Sequence, residues 1–204
     1  PKYVVLEVHM AIVGNYNYAE EQVNRDAIDK MKFSMNKVDV INNSVEDKDD
    51  RVSYYLNIIK YHSRYKEITD IDKKTAFLGY TVDNKGYIAL EENDYIFNNE
   101  SEYTNNETEL YRKNKEYLYK IINLTKKEKI NLIIVKTPTS YTNEEMSKLN
   151  YIKRIAKEND ILFLDYINNI NDLNLEYDKD FYDSGHLNKN GSIKLTKSFI
   201  DNLE

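Results

Sequence analysis

Near its C-terminal end the chain reads Phe181-Tyr182-Asp183-Ser184-Gly185-His186-Leu187-Asn188. An imidazole acting as a general base needs an acceptor at Nδ1–H, so that Nε2 keeps its lone pair for a nucleophile's proton. An Asp three residues earlier on a short loop can be that acceptor, because a turn brings such residues together. Asp183 and His186 are therefore the candidate catalytic pair, Asp183 as orienter and His186 as base. The plainer reading is two polar residues on a surface loop. Asn188 then stands where a helix N-cap would pin the loop.

Other residues could bind a substrate. Glu7 lies inside the apolar run Tyr3–Val8, and a carboxylate there needs partners or a function. His9 follows at the same strand end. His62 and Arg64 lie in the run Tyr61-His62-Ser63-Arg64-Tyr65, where a guanidinium could hold an anionic group bidentately or make a surface ion pair. Thr137 ends another apolar run, either lining a cleft or stopping the strand. These five, Glu7, His9, His62, Arg64 and Thr137, form the candidate substrate-binding set. The three histidines lack the close spacing of a metal site, and neither metal nor cofactor is predicted.

The elements that must position these residues follow from periodicity. Tyr3–Val8, Leu132–Val135 and Ile161–Leu164 are short apolar runs rich in β-branched residues, as in buried parallel strands. Between them, Asn106 with Glu109 resembles a helix start, and Leu110, Tyr117, Ile121 and Leu124 fall on one helical face. Thr142 and Glu145 form a capping box for a helix with Met146, Leu149, Ile152 and Ala156 on one side. A last helix carries Ile193, Thr196, Ile200 and Leu203. Residues Tyr18 to Lys37 and 52–59 have helical spacing, and Asp83-Asn84-Lys85-Gly86 marks a turn between β-prone pieces at 78–82 and 87–90.

The alternation of strands and helices predicts an α/β fold with a parallel sheet between two helical layers. The 204 residues read as one domain, 1–204, with an insertion at about 42–105. Three strands make a thin sheet, and Pro1 opens directly onto the first of them. Further strands are therefore expected upstream.

Composition narrows the function. A net charge of -6 without a basic stripe argues against nucleic-acid binding. The chain has no cysteine, which excludes disulfides and thiolate metal sites. It has no apolar run of membrane-spanning length. The 19 tyrosines against 6 phenylalanines and no tryptophan suit either a polar ligand surface or core packing. Tyr54, Tyr55, Tyr61, Tyr65, Tyr80 and Tyr87 are candidates for a sugar-facing surface on the insertion.

The blocks Pro1-Lys2-Tyr3-Val4-Val5-Leu6-Glu7, Tyr61-His62-Ser63-Arg64-Tyr65, Lys136-Thr137-Pro138 and Asp183-Ser184-Gly185-His186-Leu187-Asn188 together resemble the SGNH/GDSL hydrolases. The branch they resemble is that of the teichoic acid D-alanyl-transfer protein and the alginate O-acetyltransferases. The resemblance implies a flavodoxin-like α/β/α fold and a Ser-His-Asp triad completed by Asp183 and His186. It implies an esterase or acyltransferase acting on O-acyl groups of cell-envelope polysaccharide or a related carbohydrate. It further implies an extracytoplasmic or cell-surface bacterial location, with a membrane-bound acyltransferase as partner. The family's Gly-Asp-Ser block and its oxyanion Asn have no counterpart here, so the nucleophilic Ser is expected upstream of Pro1. The alternative is a non-catalytic carbohydrate-binding or scaffolding domain on the same fold.

Overall fold

The central strand explains most of the architecture. Asn131–Lys136 (β2) is buried at every position after the first, so its alternating side chains need cover on both faces. Tyr3–Glu7 (β1) and Leu162–Asp165 (β3) flank it in parallel, in the order β1-β2-β3. Val4 pairs with Leu132 and Glu7 with Val135, while Ile134 pairs with Phe163 and Lys136 with Asp165. The computed structural model describes residues 1–14, 19–56, 59–60, 62, 70, 87–167, 170 and 173–203.

Seven helices are present among these residues. They are α1 (His9–Val13), α2 (Glu21–Ile28), α3 (Met35–Ser44), α4 (Lys48–Tyr55), α5 (Arg112–Lys127), α6 (Asn143–Glu158) and α7 (Lys189–Asp201). On one face of the sheet, Leu132 and Ile134 pack with Ile12 of α1, Leu118 and Ile122 of α5, and Leu149, Ile152 and Ile155 of α6. On the other, Ile133, Val135 and Leu164 pack with Phe97, Phe181, and Leu195 and Phe199 of α7. Phe97 and Phe181 stack with ring centroids 4.1 Å apart. Each buried Ile or Leu here contributes about 1.5–3 kcal/mol. The fold is thus α/β with a three-stranded parallel sheet.

Local signals set several ends. Thr142 accepts from Glu145 N while Glu145 accepts from Thr142 N, closing the capping box that the sequence predicts. Met146, Leu149, Ile152 and Ala156 are all buried. For α5 the predicted start at Asn106 is displaced: the helix begins at Arg112 behind Tyr111, which makes no side-chain cap. Its buried face is Leu118, Ile122 and Thr125, while Tyr117 and Leu124 are exposed. Burial against the sheet, not the apolar count along the helix, chose that face. On β1, Tyr3 and Val5 are 43% and 51% exposed, so this strand is covered on one side only.

The chain divides into two compact units, residues 1–15 with 88–204, and residues 16–87. The first holds the sheet. The second has its own small core of Ile28, Ile41, Val45 and Tyr54. Tyr54, expected as a possible sugar contact, is buried at 1% exposure with the Arg25 guanidinium 3.5 Å from its ring centroid. Tyr55 hydrogen-bonds to Asn42 at 2.9 Å. The turn at Asp83–Gly86 and Tyr61, Tyr65 and Tyr80 lie outside the described residues.

Candidate active site at the strand ends

The dyad loop is held from several sides. Phe181 and Leu187 form an antiparallel bridge, and Tyr182 N donates to His186 O at 2.8 Å. Asn188, 1% exposed, accepts from Asn190 N and Gly191 N at 2.9 and 3.1 Å, which caps α7. Its Nδ2 donates back to Lys179 O at 2.6 Å, and its own N–H donates to Asp180 O at 3.0 Å. Asp180, also 1% exposed, accepts from Lys194 Nζ and Glu176 N, each at 2.6 Å. A buried carboxylate is tolerable only when so satisfied. Gly191 has no side chain because there is no room: a Cβ there would overlap the Asp180 carbonyl oxygen and lie 3.1 Å from the carbonyl carbon.

On this scaffold Asp183 Oδ1 and Oδ2 lie 2.9 and 3.0 Å from His186 Nδ1. Asp183 Oδ1 also accepts from Gly185 N at 2.8 Å. Both side chains reach solvent, at 43% and 66% exposure. Burial of the Asp183 carboxyl opposes its ionisation, but the Gly185 N–H and the His186 ring outweigh this and hold its pKa below the ordinary value. A carboxylate on Nδ1 places the imidazole proton there and leaves Nε2 as the acceptor. Among the described residues no hydroxyl hydrogen-bonds to His186.

A second polar group sits where β1 and β2 end. Glu7 Oε2 accepts from His9 N at 2.7 Å, and Glu7 Oε1 accepts from Thr137 Oγ1 and N at 3.0 and 3.3 Å. Glu7 and Thr137 are thus each other's partners across neighbouring strands. Beneath them lies Lys136, 0% exposed, donating to Thr137 O at 2.8 Å and Thr139 Oγ1 at 2.9 Å, with Glu7 Oε1 at 3.7 Å. Burial pulls the Lys136 pKa down, against the Glu7, Asp165 and Glu145 carboxylates that hold it up. The sequence did not single out Lys136 as a site residue. Its only signal was a charged residue directly continuing an apolar strand, which must be satisfied if the strand is buried.

His9 joins the two groups. Burial first and the Lys136 charge second lower its pKa, opposed by Glu7 and Glu145, and His186 adds to the lowering. The two imidazoles therefore lie within electrostatic reach of each other. His62 is in the other unit, where its Nδ1 pairs with Ile59 O at 2.7 Å, and Arg64 lies outside the described residues. Among the described residues no cluster of three metal-ligating side chains occurs, and no helix is long and apolar enough to cross a membrane. No family model, curated protein or solved structure matches the chain.

Proposed function

We propose that this chain carries the acid–base half of an SGNH-type serine esterase or acyltransferase acting on O-acyl groups of cell-envelope polysaccharide or a related carbohydrate. The observation behind this reading is the Asp183 carboxylate on His186 Nδ1, with Nε2 left for a proton. In this mechanism a serine Oγ outside the described residues attacks the acyl carbonyl, and its proton passes to His186 Nε2. Asp183 stabilises the imidazolium. His186 then returns the proton to the departing sugar oxygen as the acyl–sugar bond breaks. Water or an acceptor hydroxyl takes the acyl group from the serine by the same steps in reverse. The flavodoxin-like family fold, an extracytoplasmic bacterial location and a membrane-bound acyltransferase partner belong to this proposal.

The absence of a hydroxyl on His186 among the described residues favours a second reading, a carbohydrate-binding or scaffolding domain without turnover. Hydrolysis of 4-nitrophenyl acetate separates the two. In the protein together with the segment that supplies the serine, the first reading expects turnover that His186→Ala abolishes, and one serine labelled by a fluorophosphonate. Turnover unaffected by His186→Ala, or none at all with no labelled serine, would reject it.

A further inference from the structure

We propose that His9 presents a neutral imidazole, protonated on Nε2, as a hydrogen-bond donor to the acyl oxygen of a ligand beside His186, with Glu7 fixing its place and burial beside Lys136 keeping it uncharged. The donor role rests on the esterase reading; the state of the ring does not. His9 Nδ1 is buried with no hydrogen-bond partner. A proton on that nitrogen would be a buried donor without an acceptor, which is costly, whereas a bare lone pair is tolerated beside the Lys136 ammonium. The proton of the neutral ring therefore belongs on Nε2.

The surroundings fix the ring's place. Glu7 holds the His9 backbone N–H through one carboxylate oxygen and Thr137, the residue after β2, through the other. Lys136 anchors that carboxylate from below and is itself held by the 137–139 turn. The charged and titratable groups facing His9 are Glu7 from β1, Lys136 from β2, Glu145 from α6 and His186 from the dyad loop. Burial and the two cationic or imidazole neighbours disfavour protonation of His9, the carboxylates favour it, and the balance lies on the neutral side. A neutral imidazole donor suits a developing oxyanion because it stabilises charge without competing with His186 for the nucleophile's proton.

Nitrogen-15 spectra of the imidazole rings test the state directly. At neutral pH His9 should show Nε2–H and a bare Nδ1, and His186 the opposite tautomer. Lys136→Met should raise the His9 titration midpoint, and the near-isosteric Glu7→Gln should lower it. A His9 ring protonated on Nδ1 or on both nitrogens at neutral pH, or a midpoint unmoved by both substitutions, overturns the proposal. In turnover of 4-nitrophenyl acetate, His9→Leu should lower kcat about 100-fold with KM little changed, and His9→Gln, which keeps an N–H donor, should recover about tenfold of that loss. Wild-type kcat in His9→Leu overturns the donor role. Absence of turnover in the wild-type protein rejects the donor role together with the esterase reading, while the ring spectra still decide whether burial beside Lys136 keeps His9 neutral.

Discussion

His186 and His9 lie within electrostatic reach of each other but in contrasting settings. His186 is two-thirds exposed, sits on a loop and has a carboxylate on its ring. His9 is half-buried at a strand end, with a buried ammonium beside it and no partner at Nδ1. The carboxylate makes one imidazole ready to take a proton. Burial and the ammonium deny one to the other. The lesson is that a site can assign acid–base and hydrogen-bonding duties to the same residue type by neighbours alone.

The sharpest way to break the contrast is at the dyad. In the esterase reading His186→Ala should lower kcat by at least about 1,000-fold and Asp183→Asn by about 1,000-fold, because an amide lets the ring settle in the wrong tautomer. Thermal melts should barely move, since both side chains are exposed. Equal kcat for Asp183→Asn and wild type would remove Asp183 from its role.

Weaker effects come from what supports each ring. Asn188→Ala deletes a cap and a buried hydrogen bond to Lys179 O, and should cost about 2 kcal/mol in urea unfolding. Thr139→Val takes one of Lys136's acceptors and should cost about 1.5 kcal/mol. The dyad loop should be untouched, so the His186 ring signals of Thr139→Val should match wild type while those of His9 shift.

The smallest effect is the pH dependence of stability. His9 titrates below its ordinary 6.5 when folded, so the unfolded chain takes up the proton first as pH falls. Stability referable to His9 is therefore whole above about pH 6.5 and declines as pH drops toward the folded value. Asp183 is held below 3.8, so its contribution is present above that value and is lost as pH falls through the folded pKa. Urea midpoints between about pH 7 and about pH 5 should fall less steeply in His9→Gln than in wild type; parallel slopes would exclude His9 as the source.

Much of this was legible in the sequence because it is local. The three strands announce themselves as apolar runs, Thr142 and Glu145 cap within one turn, and Asp183 and His186 are three residues apart. What sequence could not supply is contact over distance. Glu7 and Thr137 are separated by 130 positions, so neither the carboxylate's partners nor the burial of Lys136 could be read from neighbours. The α5 face was misplaced for a related reason: Leu124 continues the apolar pattern, but the sheet lies under Ile122.

Gly191 carries a consequence beyond its own helix. Its backbone bears directly on the Asp180 carbonyl, and Asp180 adjoins Phe181, which bridges to Leu187, and lies two residues before Tyr182, whose N–H donates to His186 O. There is no slack between the first turn of α7 and the loop carrying the dyad, so the two behave as one machined part. A single added methyl group at 191 acts as a shim. It never touches the imidazole, yet it must tilt the loop that aims it, which makes this position a handle for detuning the dyad's geometry while leaving both of its side chains in place.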